Sequence, residues 1–308
     1  MKKGFTLIEM IVVLVILAIV THLAVREMTH IKNERMGEIA EKQFSEIRKA
    51  VFTLGEQSKP LGFAADMGRL PRAVISTNNF NRECVTLGEL WEKPEGVGNY
   101  EVRCASKDNL VVGESEKNDL EDLEVWIACG WRGPYLNRSV KDSRLFDAWG
   151  NRMENKDDAG YDRLFTKDGK AAKVGDEIWK IAHYGSDGRL DSEVHPQLES
   201  QKDSLAELIP VNRSSNKLAI NILFCNGEDS SPVTGDVICK WYAPCGSAIT
   251  GGVEKVTLSG VASKSFAFDG VSFGQCMVTV SVGGETRLRK YITVPPGGTT
   301  SEIKVPVR

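Results

Sequence analysis

The sequence predicts an α+β protein in which a long N-terminal helix leads into a small α/β head, followed by a C-terminal antiparallel β-sandwich. Residues 5–25 form an almost continuous apolar run, and apolar side chains then recur at helical spacing as far as residue 54. Short alternating segments separated by Gly and Pro fill residues 216–308, which is typical of antiparallel strands. The length of 308 residues favours two folded units.

The first predicted element is a membrane-spanning helix. Residues 5–25 provide 21 residues, and a helix crosses a bilayer with about 20 apolar residues. Lys2 and Lys3 precede this run, so the positive-inside rule places them in the cytoplasm. The rest of the chain, beyond about Val25, is therefore expected outside the cytoplasm, where cysteine pairs can form.

One acidic residue, Glu9, interrupts the apolar run. A charged side chain at the centre of a membrane helix costs about 2.5–3.5 kcal/mol on insertion scales, so Glu9 needs a partner. Cleavage after Gly4 would make Phe5 the new N-terminus, with its ammonium group four residues before Glu9 and on the same helix face. A simple anchor has no need of such a carboxylate.

Residues 1–9, with two lysines, Gly4 and then Phe-Thr-Leu-Ile-Glu, resemble type IV prepilins. The resemblance implies cleavage between Gly4 and Phe5 by a prepilin peptidase, N-methylation of Phe5, and assembly of copies into a helical filament guided by Glu9. An ordinary signal peptide is the alternative, but no small-x-small cleavage site follows the apolar run.

Beyond the membrane the helix is predicted to become amphipathic. Ala40, Phe44, Ile47, Val51 and Leu54 are separated by four, three, four and three residues, and charged residues lie between them. This stripe requires a globular head to cover it.

Four segments of the head resemble, in order, the major pseudopilin of type II secretion systems: residues 66–71, 131–136, 147–151 and 178–188. This resemblance covers about residues 1–190. It implies a periplasmic pseudopilus held at the inner membrane, with other pseudopilins and an inner-membrane assembly platform as partners. The residues themselves indicate packed turns, in which Asp147 braces Gly150 and Asn151.

The same family binds calcium in the loop after its last head strand. The matching positions are the side chains of Ser186, Asp187 and Asp191 and the carbonyl of Leu190. Calcium takes six to eight oxygen ligands, several of them anionic. The alternative is that Asp187 and the following Gly form only a turn.

Two regions depart from the pseudopilin pattern. Residues 92–128 are an insertion, with a solvated acidic loop expected at 114–124. Residues 216–308 resemble a carboxypeptidase-regulatory or transthyretin-like sandwich, with seven candidate strands at 217–225, 235–242, 254–259, 263–268, 275–282, 287–294 and 301–307. The predicted divisions are a leader at 1–4, an assembly helix at 5–55, a head at 56–196, a linker at 197–215 and the sandwich at 216–308.

No motif of a metalloprotease, a serine hydrolase or a phosphate-binding loop is present, and we expect no enzymatic activity. The net charge of −3 without a basic tract argues against nucleic acid as a partner. We therefore expect a structural filament subunit for type II secretion. The alternative is a minor pilin or adhesin-like subunit whose sandwich recognises cargo or a surface.

The prepilin interpretation makes a prediction about the mature protein. Intact mass spectrometry of the membrane-extracted chain should show loss of residues 1–4 and one added methyl group on Phe5. A mature chain that begins at Met1, or beyond Val20, would contradict it.

Overall fold

The structure is a computed structural model. It describes residues 7–55, 59–77, 83–136, 140–141, 144–155, 161–185, 204–208, 217–295 and 297–307.

A single helix, α1 (Leu7–Val51), dominates the N-terminal part of the chain. Its 45 residues span about 68 Å at 1.5 Å per residue. The predicted stripe is confirmed from Ala40 to Val51, where these side chains are buried. The prediction was wrong at Leu54, which lies beyond the helix end in a short strand and is 50% exposed.

The head surrounds the second half of α1 with short elements. In chain order these are β1 (Thr53–Leu54), β2 (Pro60–Leu61), α2 (Phe63–Met67), β3 (Val74–Thr77), β4 (Glu83–Thr86), β5 (Glu101–Ala105), α3 (Glu114–Leu120), β6 (Asp122–Cys129), β7 (Val140–Lys141), β8 (Arg144–Leu145), β9 (Leu164–Phe165), β10 (Lys180–His183) and β11 (Ser204–Glu207). Two 3₁₀ turns, Gly88–Leu90 and Lys107–Asn109, lie among them. One core joins the α1 stripe to Phe63, Leu90 and Ile181.

The acidic stretch 114–124 is solvated, as predicted, but it is not a loop. Glu114–Leu120 form α3, and Asp122 begins β6, which pairs with β5 as an antiparallel hairpin. The loop prediction was wrong because the charged composition concealed a helix and the start of a strand. Beyond this stretch, Val125, Ile127 and Cys129 alternate along β6 and are buried. These side chains belong to a second core, which also includes residues from the C-terminal part of the chain.

Strand β11 lies inside the segment predicted as a linker. It pairs antiparallel with β10, which itself pairs with β9, so the three strands form one sheet of the head. Ala206 and Leu208 are buried in the head core. The short apolar pattern within the polar segment 197–215 therefore indicated a strand and not a linker.

The remaining strands form the C-terminal β-region, residues 217–307. They are β12 (Lys217–Asn226), β13 (Asp229–Ser230), β14 (Val233–Cys245), β15 (Ala248–Val261), β16 (Ser263–Asp269), β17 (Gly274–Val282), β18 (Glu285–Val294) and β19 (Thr299–Pro306). All seven predicted segments are strands.

Two sheets enclose the core of the C-terminal β-region. One has the order β15-β14-β17-β18; in the other, β12 pairs with β13, β16 and β19. Their facing residues, among them Ile220, Trp241 and Val278, form one apolar cluster. The pairing is mostly antiparallel, as predicted, but β12 and β19 run parallel. Parallel pairing follows from the path of the chain, because β19 returns to β12 after the opposite sheet is complete.

Six cysteines are free thiols in this structure: Cys104, Cys129, Cys225, Cys239, Cys245 and Cys276. Cys239 and Cys276 lie inside the C-terminal β-region, and burial raises the pKa of each to about 12. At neutral pH these two groups therefore remain protonated, apolar core residues.

Candidate functional site

The candidate site is α1 together with the part of the head that holds it. Residues 7–39 of α1 include no buried side chain, although most of residues 7–25 are apolar. In the described part of the chain, α1 is the one helix long and apolar enough to cross a membrane. The helix therefore has a bare apolar half, which contains the exposed residues 7–25, and a covered amphipathic half, whose residues 40–51 pack against the head.

Glu9 lies in the first turn of α1. A carboxylate in the first turn interacts favourably with the positive end of the helix dipole. Gly4 and Phe5, the predicted cleavage and methylation positions, lie outside the described residues. The pairing of Glu9 with the Phe5 ammonium therefore remains a prediction.

The rings of Phe44, His183 and Trp149, here called the aromatic sandwich, pack the covered half of α1 against the head. The ring of His183, on β10, stacks against Phe44 of α1 with ring centroids 5.2 Å apart. Trp149 lies against the same imidazole at 5.1 Å. Two polar contacts flank these rings: Gln43 Nε2 donates to the carbonyl of Phe146 at 3.3 Å, and Arg48 Nε donates to the carbonyl of Glu207 at 2.8 Å.

The turn that carries Trp149 is braced by Asp147, as the sequence predicted. Asp147 Oδ1 accepts hydrogen bonds from the backbone N–H groups of Trp149 at 3.0 Å and Asn151 at 2.8 Å. Asp147 Oδ2 lies 3.4 Å from Arg163 Nη1, and both side chains are buried. The brace fixes the position of Trp149 and thereby the pocket for the His183 ring.

A second cluster lies at the end of α1 distant from its apolar half. Tyr135 Oη donates to Asp66 Oδ2 at 2.9 Å, and Arg132 Nε donates to the same oxygen at 3.0 Å. Burial raises the pKa of Asp66 despite these partners. Trp131 Nε1 donates to the carbonyl of Glu89 at 3.0 Å. The Gly-Pro-Tyr-Leu segment thus ties α2 to the head core.

Several anchoring residues were not found by sequence reasoning. The guanidinium of Arg69 binds both carboxylate oxygens of Glu89, at 2.7 and 2.8 Å, and Glu89 also accepts the Arg72 N–H at 2.6 Å. The buried Asn155 donates to the carbonyls of Leu164 and Ala172 and accepts two backbone N–H groups. Arg69 and Glu89 are separated by 20 residues, and no periodic pattern connects them.

The predicted calcium positions, Ser186, Asp187, Leu190 and Asp191, all lie outside the described residues. Among the residues that are described, no group of three or more His, Cys, Asp or Glu side chains forms a potential metal site. The strand that leads into the predicted loop, β10, is described and ends at His183.

Residues 1–25 match the family model of the prokaryotic N-terminal methylation motif. The motif indicates a type IV pilin-like prepilin. It implies processing by a prepilin peptidase and assembly into filaments, and together with the apolar half of α1 it fits a single-pass membrane anchor. Searches of curated proteins and of solved structures found no match.

We expect the stability of the packing between α1 and the head to depend on pH through His183. Burial lowers the pKa of His183, while the carboxylates of Asp147 and Glu41 raise it and Arg163 lowers it further. The net shift is downward from 6.5, so the unfolded chain takes up this proton at a higher pH than the folded protein does. His183 therefore stabilises the fold above about pH 6.5, and the stabilisation is lost as the pH falls below that value.

We expect the melting temperature of the detergent-solubilised chain to fall between pH 7 and pH 5, and His183→Phe to reduce this fall because Phe keeps the ring but not the proton. The exposed His30 of α1 supplies the control, His30→Gln, which should keep the wild-type slope. Equal slopes for His183→Phe and the wild type would show that another group governs the response.

Proposed function

We propose that this protein is a structural subunit of a periplasmic pseudopilus, a type IV-like filament that drives type II protein secretion. The observation that carries the proposal is the match of residues 1–25 to the methylation motif, which continues directly into a helix whose apolar half is bare. A helix that is apolar all round requires either lipid or other helices as its surroundings.

In the proposed assembly process, the apolar half of α1 is surrounded first by lipid and then by other helices. The apolar half of α1 holds the newly made subunit in the inner membrane with its head in the periplasm. After processing, the assembly platform extracts the subunit, and its helix exchanges lipid contacts for helices of neighbouring copies and of other pseudopilins. Because the aromatic sandwich fixes α1 to the head, each added helix moves its head along the filament.

Two features of the head support the pseudopilin assignment over other filament classes. The Asp147 turn and the Gly-Pro-Tyr-Leu segment occur in the order expected for a major pseudopilin. Both also make contacts that position α1 or α2. The role is mechanical, and we propose no catalytic activity for the chain.

A second candidate function is a binding role as a minor pilin or adhesin-like subunit. The C-terminal β-region favours it, because a sandwich domain is foreign to the major pseudopilin pattern. One outer face of this region remains open and forms a groove of about 380 Å³, lined by Asn221, Leu223, Ser263, Glu302 and Lys304, with Ile222 and Ile303 at its floor. Cargo or a surface component is the expected occupant.

We also propose that Ser186, Asp187, Leu190 and Asp191 bind calcium. A ligand that binds only the folded state stabilises it, so added calcium should raise the melting temperature and a chelator should lower it. Asp187→Asn should abolish this response, whereas Asp168→Asn, in an exposed turn of the same head, should preserve it. Indifference of the wild-type protein to both treatments would leave these residues as a turn.

The assembly role of Glu9 gives the decisive test of the filament proposal. Glu9→Leu makes the segment more apolar, so membrane insertion should be unharmed. An amino terminus buried among helices would then lack its carboxylate, and an unpaired buried charge is costly. We expect the variant to reach the membrane in normal amounts with a folded head. The yield of filaments should fall at least tenfold, since a loss of about 1.4 kcal/mol lowers an association constant tenfold.

Sheared filament fractions and electron microscopy measure this outcome. Glu27→Leu is the matched control, because Glu27 is an exposed acid of the same helix beyond the apolar run. Glu27→Leu should leave the filament yield close to that of the wild type. Filaments formed equally well by Glu9→Leu would remove Glu9 from the assembly mechanism.

A further inference from the structure

The C-terminal β-region contacts the head through a seam centred on α2. The N–H of Gly246, in the turn after β14, donates to the carbonyl of Met67 at 2.8 Å. A Cβ atom on Gly68 would lie 1.8 Å from the carbonyl oxygen of Pro244. On the other side, a Cβ on Gly274 would lie 2.5 Å from the carbonyl oxygen of Ala65. Backbones therefore meet at distances that only glycine permits.

Apolar side chains cross the seam in both directions. Phe273, from the loop before β17, is buried in the head core together with Phe63 of α2. In return, the insertion covers the outer face of the four-stranded sheet, where Tyr242 and Met277 are buried in one cluster with Ile127. The head core therefore includes a residue of the β-region, and the cluster around Ile127 is shared between the two regions.

Polar contacts close the edge of the same seam. Tyr291 Oη donates to the carbonyl of Trp126 at 2.8 Å, and Arg289 Nη2 lies 2.7 Å from Glu124 Oε2. The N–H of Val111 donates to the carbonyl of Ile249 at 2.8 Å, which extends pairing from the insertion to β15. The acidic residues of the insertion thus face a cation of the β-region.

We infer that the insertion and the C-terminal β-region are partners in one interface, and that the head and the β-region fold as a single cooperative unit. A polar linker would suggest a domain on a flexible tether, yet the contacts at Ala65, Met67 and Gly68 place the β-region directly against α2. A Cβ on Gly62, at the start of α2, would lie only 2.8 Å from the carbonyl oxygen of Val51 at the end of α1, so α2 also lies close against α1. We therefore expect a ligand or load on the β-region to act on the assembly helix through α2.

This inference concerns the coupling between two parts of one chain and does not depend on type II secretion being the destination. It also assigns a purpose to both departures from the pseudopilin pattern. The insertion supplies the surface that the added domain requires, and the added domain buries the apolar face that the insertion would otherwise expose.

A matched pair of glycine substitutions tests the interface in the full chain. Gly68 and Gly270 both have φ of +70°, so alanine meets the same backbone strain at each. A Cβ at Gly270 meets open space, whereas one at Gly68 strikes Pro244 across the seam. We expect Gly68→Ala to lower the melting temperature by about 5 °C more than Gly270→Ala, at about 2–4 °C per kcal/mol for a chain of this class.

Hydrogen–deuterium exchange of the same variants locates the effect. Gly68→Ala should raise exchange on both sides of the seam, in β5, β6 and α2 and also in β14 and β17, whereas Gly270→Ala should not. Phe273→Ala, on the opposite side of the interface, should reproduce this pattern. The inference would be overturned if Gly68→Ala and Phe273→Ala each raised exchange only in the region that carries the substitution. Two separate unfolding transitions in the wild type would also overturn it.

Discussion

The packing of one narrow stripe of α1 against the head is the interaction on which the other parts of the structure depend. Phe44, Ile47 and Val51 are positions at which a helix whose first 33 described residues include no buried side chain becomes part of a globular core. Burying each of the larger side chains contributes about 1.5–3 kcal/mol. Short strands and turns can surround the stripe because it supplies the continuous apolar surface that they individually lack.

Buried polar groups then decide which arrangement of those short elements is adopted. Most head strands are only two to five residues long, so their ladders provide few backbone hydrogen bonds. Side chains such as Asp147, Glu89 and Asn155 satisfy the remaining N–H and carbonyl groups of the connecting loops. A buried donor or acceptor left without a partner costs about 1–3 kcal/mol, which penalises alternative loop paths.

The C-terminal β-region extends this packing beyond the head. Its four-stranded sheet has an apolar outer face at Tyr242 and Met277, which in an isolated sandwich would lie in water. The hairpin of the insertion covers that face, and Phe273 fills a place in the head core. Any ligand of the open, opposite face would therefore be held at a constant position relative to α1. The pilin-like anchor and the added region act as one body.

The sequence by itself determined the features that local pattern encodes. An almost continuous apolar run predicts the anchor, a 3.6-residue period predicts the buried stripe, and two-residue alternation predicts the seven C-terminal strands. The prepilin motif is equally local, because it lies within residues 1–25. Asp147 was also predictable, since its acceptors bind N–H groups within four residues.

Only the tertiary structure decided which surfaces cover one another. Periodicity shows that a side chain such as Val125 is buried, but it does not show that a sheet more than a hundred residues later buries it. The acidic composition of residues 114–124 suggested a loop, whereas they form α3 and the start of β6, and the rest of β6 packs against the C-terminal β-region. Strand β11 and the Arg69–Glu89 pair depend in the same way on partners distant in the chain. Local pattern does not identify the partner in such contacts, because the two partners lie far apart in the chain and are brought together only by the fold.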